Sequence, residues 1–184
     1  MSGLPRSGTS MMMRMLEAGG VNIVVDNIRS ADDDNPKGYY EDERVKKLKE
    51  NNSWLDELKD KAVKIISLLL YHLPMTNEYK IIFMLRDMKE LLISQKKMLE
   101  RQSRGTDDLD DEKLSKKFKD HLEKIRKWLE RQRHIECLYV DYHDVIQHPV
   151  ENAERVKHFL NKDLNIALMA QAVDEKLYRN RRHS

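Results

Sequence analysis

Disulfide bonds are the first thing this chain cannot build: it has one cysteine, Cys137, so no intrachain bridge can form. That usage fits a reducing compartment and leaves packed side chains to hold the fold. Long apolar runs are missing too, and nothing approaches the roughly 20 residues needed to span a bilayer. The chain opens on a glycine loop and not on a leader with an apolar centre. The expectation is therefore a cytoplasmic protein with no membrane partner. Net charge is scarce, since 34 basic and 32 acidic residues leave only +2. Such a balance gives no global field toward DNA, RNA or anionic lipid, so nucleic acid is not an expected partner. The histidines other than His72 (His121, His134, His143, His148, His158 and His183) show no paired ligand spacing, so no metal site is expected. Internal repeats and low-complexity segments are absent as well. At 184 residues the sequence reads as one domain, 1–184, with a basic tail at about 176–184.

What is present is concentrated at the start. Gly3 and Gly8, in Gly3-Leu4-Pro5-Arg6-Ser7-Gly8, have the G-x-x-x-x-G spacing of a phosphate-cradling P-loop. Thr9 and Ser10 stand where a nucleotide triphosphatase places Lys and then Ser or Thr. Glycines let successive amides point into one hollow, and a following helix aims its positive end at an anion there. Without the lysine, the loop lacks the charge that reaches β- and γ-phosphates beside Mg²⁺, which suggests another phospho-donor. Pro5, Arg6, Ser7, Gly8, Thr9 and Ser10 are the candidate donor-binding residues. Arg6 suits two oxygens at once through its planar fork, and the plainer alternative is a surface ion pair.

Strand and helix alternate along the rest. Helices are expected at Thr9–Ala18, at about Tyr39–Asn51, from Met88 to about Arg101, from about Glu112 to Gln132, from His148-Pro149 onward, and briefly after Leu164. Strands are expected at Ala62–Leu70, Tyr79–Leu85 and Ile135–Val140, and Val21–Val25 is a short apolar run. Asp87 with Glu90 suggests a capping box at the third of these helices. This order implies an α/β fold with a parallel sheet flanked by helices, binding ligand at the carboxyl ends of its strands. Only Met1 and Ser2 precede the glycine loop, so the first strand, usually central, reads as missing or truncated unless another element fills its slot.

Three stretches in order carry a resemblance: LPRSGTS before a helix; Leu85-Arg86-Asp87 after a strong strand, with Ser94 eight residues beyond Arg86; and Tyr142-His143-Asp144-Val145 followed by His148-Pro149 and Phe159-Leu160. Together they resemble the sulfotransferase family, over roughly residues 2–160. The resemblance implies a three-layer P-loop-like fold and transfer of a sulfuryl group from 3′-phosphoadenosine 5′-phosphosulfate (PAPS) to a hydroxyl or amine acceptor. It implies in-line transfer without a metal, the glycine loop holding the 5′-phosphosulfate. Arg86 and Ser94 would hold the 3′-phosphate, helped by a basic stretch near the C-terminus, here Arg179, Arg181 and Arg182. Read without the family, Arg86-Asp87 is a strand-end ion pair and the tail a solvated terminus.

For the base that takes the acceptor's proton, Asn35-Pro36-Lys37-Gly38-Tyr39-Tyr40-Glu41 is similar to a family loop that ends on a catalytic Glu. Glu41 is the first candidate, with Asp42 and Glu43 beside it. Its alternative is a helix-dipole role. His72 is second, in place of a family histidine found two residues after a lysine. Lys64, inside an apolar run, is costly to bury unless paired. It is placed either to stabilise charge on the bridging oxygen or to reach solvent along its stem. The runner-up functions are a kinase with a degenerate P-loop and a non-catalytic nucleotide-binding remnant.

Overall fold

The computed structural model describes residues 1–26, 28, 38–101 and 110–173. At its centre, β4 (Tyr79–Leu85) pairs in parallel with β5 (Ile135–Asp141) over its whole length, from Tyr79 opposite Ile135 to Leu85 opposite Asp141. The other edge of β4 takes β1 (Ser2–Gly3), with Ser2 opposite Phe83 and Gly3 opposite Met84. A second parallel pair joins β2 (Asn22–Ile23) to β3 (Lys61–Ala62). Met1 connects the two pairs: its nitrogen donates to Val63 O at 3.0 Å, and its carbonyl accepts from Ile65 N at 2.9 Å. The slot before the glycine loop is thus filled by residues 1–3 themselves, hydrogen-bonded on both sides.

The sequence YKIIFML of β4 is apolar without a break because both faces of a parallel sheet are covered. Ile82 and Met84 enter a core with Met12, Met13, Met15, Val140 and Val156. Ile81 and Phe83 point the other way, into a core with Ile65, Leu70, Ile125 and Leu129. The first core is closed by α1 (Thr9–Ala18), α4 (Tyr142–Gln147), α5 (Pro149–Leu160) and α6 (Ile166–Gln171). The second is closed by α3 (Asp111–Leu129) and three 3₁₀ segments at Glu43–Lys47, Ser53–Leu58 and Ser67–His72. α2 (Met88–Arg101) lies against α3. The result is the three-layer α/β arrangement expected from the sequence. α1 explains its own methionines: Met11, Met12, Met13 and Met15 are all buried, as befits a helix next to the sheet with little solvent face.

Three expectations need correction. The run Ala62–Leu70 is not one strand. Its β-branched half stays extended, whereas its leucine half winds into the turn Ser67–His72, since Leu lacks the χ1 stiffness that favours strands. Tyr39–Asn51 is not one helix either. Gly38 and Tyr40 sit at φ 90° and 52°, which no helix accommodates, and only Glu43–Lys47 coils, behind Asp42 as its cap. Finally, α4 was not foreseen: the Asp141 side chain accepts from His143 N and Asp144 N and starts a short helix directly off β5.

Candidate active site

The glycine loop joins β1 to α1 at the carboxyl end of the sheet. Each of its glycines is required by its surroundings. A Cβ at Gly3 (φ 154°) would lie 2.4 Å from Ser7 Oγ and 2.9 Å from Met84 O. One at Gly8 (φ 97°) would lie 2.3 Å from Cδ2 of Tyr142. Between them Arg6 is left-handed, at φ 67°, a conformation that costs a non-glycine residue about 1 kcal/mol or more and is found where function demands it. Ser7 turns inward: its amide and its hydroxyl both donate to Leu4 O, at 3.2 and 2.7 Å, so they brace the loop and do not point into its hollow. Pro5 and Thr9 are half-buried on the rim.

What the loop offers an anion is the start of α1. α3, α4 and α6 each have a side-chain cap, from Asp110, Asp141 and Asn165. α1 has no side-chain cap and no acidic residue in its first turn. Its first helical hydrogen bond runs from Met12 N to Gly8 O at 3.2 Å, leaving the amides before Met12 to face the loop.

A second wall comes from β4, α2 and α4. Arg86 is at the end of β4, its side chain only 7% exposed. Its Nη1 donates to Arg6 O at 3.0 Å, its Nε donates to Glu90 Oε2 at 3.3 Å, and its guanidinium carbon lies 4.4 Å from the centre of the Tyr142 ring. Ser94, buried on α2, accepts from Arg6 Nε at 3.0 Å. The glycine loop and the Arg86–Ser94 pair, which the sequence treats separately, therefore adjoin, linked through Arg6. Asp87 caps α2 as foreseen, accepting from Lys89 N and Glu90 N, but the other half of the box differs: the Glu90 carboxylate meets Arg86. Burial pushes the Tyr142 phenol up from its ordinary range, against the pull of the Arg86 charge.

The third wall is the segment 39–42 with Lys64. Lys64 is 8% exposed and paired, its ammonium 3.1 Å from Glu41 Oε1 and donating to the Tyr39 carbonyl. Ser10 donates to the same carbonyl at 3.2 Å, which ties this segment to the first turn of α1. Tyr40 adds a bond from its hydroxyl to Glu17 at 2.6 Å, and burial together with that carboxylate raises its phenol. The three neighbouring carboxylates separate cleanly here. Asp42 clasps Arg44, which holds its carboxyl below the usual range, and Glu43 pairs with Lys46. Glu41 is the one that meets Lys64.

His72 closes the turn Ser67–His72, where its carbonyl accepts from Asn52 Nδ2 at 2.9 Å. Among the described residues no hydrogen bond or ion pair links its ring to the glycine loop, Glu41 or Lys64. Arg179, Arg181 and Arg182, like Asn35, Pro36 and Lys37, lie outside the described residues. Sequence reasoning overlooked Glu90 as a partner of Arg86, although the spacing of four was visible. It also quoted Tyr142 only as part of a motif. Among the described residues no three His, Cys, Asp or Glu side chains gather as metal ligands would. No helix among them is long and apolar enough to cross a membrane.

A parallel sheet flanked by helices, with a glycine loop leading into the first of them, defines a mixed α/β fold of the P-loop-like class. Within that class, the sulfotransferase domain family matches residues 1–184, the entire chain, and the protein belongs to it. It is a sulfotransferase, a transferase enzyme. A search of curated proteins returns no match.

Proposed function

We propose that the chain transfers a sulfuryl group from PAPS to a hydroxyl-bearing acceptor, with the proton taken by Glu41. The observation that carries this reading is the junction of the glycine loop and Arg86. One guanidinium, Arg6, bonds Ser94; the other, Arg86, bonds the backbone of Arg6. A ligand with two anionic groups on one ribose, one of them a 3′-phosphate, matches such a double cradle. The loop's fit to an anion is supported by the uncapped start of α1 and by two glycine positions where a Cβ would collide.

The roles follow from the contacts. The amides at the start of α1, with Arg6 and the hydroxyl of Thr9, would hold the 5′-phosphosulfate. Ser10 anchors the acceptor-side segment. Arg86 and Ser94 would hold the 3′-phosphate. The Glu41 carboxylate accepts the proton of the acceptor hydroxyl as its oxygen attacks sulfur. The bond between sulfur and the bridging oxygen breaks, and its electron pair goes to the phosphate, leaving adenosine 3′,5′-bisphosphate. Lys64, already beside Glu41, supplies positive charge toward that oxygen. The buried lysine is thus explained by its partners and not by a path to solvent.

Isothermal titration with adenosine 3′,5′-bisphosphate, with and without EDTA, tests the donor site. Transfer of label from ³⁵S-PAPS to pooled alcohols, sugars and phenols tests the reaction. Chelator-insensitive binding and labelled product are expected; a folded protein that binds no bisphosphate overturns the reading.

A further inference from the structure

Glu90 takes no part in the transfer described above, yet it is buried, and its carboxylate lies beside a guanidinium placed to receive an anion. The Glu90 and Arg86 side chains are each 7% exposed. Taking two ions out of water is costly, and such a pair persists where it fixes a geometry. Arg86 is held from three directions, by Glu90 Oε2 on α2 (3.3 Å), by Arg6 O on the glycine loop (3.0 Å) and by the face of Tyr142 on α4 (4.4 Å). A long side chain held in this way has already lost the freedom that gripping a phosphate would otherwise take from it.

We infer that Glu90 is a positioning residue, fixing Arg86 in the orientation that receives the donor's 3′-phosphate, so that selectivity for a 3′-phosphorylated nucleotide depends on it. This rests on the donor reading above. Glu90 follows Arg86 by four residues with its carboxylate 3.3 Å from Nε, and shortening it to aspartate takes one methylene from that reach.

The test is a calorimetric titration of the full chain with adenosine 3′,5′-bisphosphate and, separately, with adenosine 5′-monophosphate. The wild type is expected to prefer the bisphosphate. Glu90→Asp is expected to lower that preference about tenfold by weakening the bisphosphate alone. Glu90→Gln keeps the reach and is expected to restore most of it. A merely structural role would move both ligands together, so equal weakening overturns the inference. So does an undiminished preference in Glu90→Asp, or tighter bisphosphate binding in Glu90→Gln, which would make Glu90 a competitor of the phosphate. A wild type that shows no preference overturns the donor reading itself, whereas a preference that survives Glu90→Asp overturns this inference alone.

Discussion

The two halves of the candidate site are built by different means. The half around Arg6 and Arg86 stands on the ends of regular elements: β1, α1, β4, α2 and α4. The half around Glu41 and Lys64 stands on residues 38–73, where, apart from the two-residue β3, short 3₁₀ segments and left-handed residues replace regular elements. A grip on phosphate draws on backbone amides and pinned guanidinium groups, which need a rigid frame. A proton-transfer pair needs only two side chains brought within reach, and here a buried lysine bonded to the Tyr39 carbonyl and to Glu41 provides the anchor. On the proposed function, donor selectivity rests on the sheet and the proton transfer on the loops beside it.

The comparison breaks most severely at Gly8. Gly8→Val forces a branched side chain into the Tyr142 ring at a left-handed position, and should lower bisphosphate affinity by roughly a hundredfold or more and stability by about 2–4 kcal/mol. Calorimetry and thermal melts would register both. Glu41→Gln should cut turnover by about 10²-fold or more while bisphosphate affinity moves less than about threefold. Lys64→Met should behave alike, and initial rates set beside titrations would expose any mixing of the two halves. Arg86→Met sharpens the contrast from the other side, with bisphosphate binding weakened about tenfold or more and monophosphate binding kept. The smallest effect is on acid stability. Arg44 holds the Asp42 carboxyl below its ordinary 3.8, so this stabilisation is complete above that pH and is lost as pH falls through the lowered value. Below about pH 4 the wild-type urea midpoint should therefore fall more steeply than that of Asp42→Asn.

The same division governs what could be read from the chain before its structure. The bounds of α1, β4 and α2 follow from Gly8 and Gly19, from the unbroken apolar run Tyr79–Leu85, and from Asp87 as cap. In each case a local rule and the tertiary environment agree. Arg6 was legible from its place in the glycine loop, whereas Arg86 and Ser94 were singled out only through the family resemblance. The irregular half was harder. Nothing in Tyr39–Asn51 announces that Tyr40 is left-handed, and the run Ala62–Leu70, apolar but for Lys64 and Ser67, hides a change from extended chain to turn at Ser67. The contact of Lys64 with Glu41 spans separate segments, so the sequence showed only that a buried lysine wanted a partner. Glu90 was read as a cap because a helix start explains a Glu at that position, and the deeper guanidinium competes for it only once β4 and α2 are in place.

The space a side chain at position 8 would need is held by a ring delivered from α4, far along the chain. Anyone transplanting this loop into another scaffold, or widening it for a bulkier donor, must carry the beginning of α4 with it. Trimming Tyr142 would open the space beside Gly8 and remove the ring against Arg86 in one stroke, which makes that tyrosine the first position to vary when the loop is redesigned.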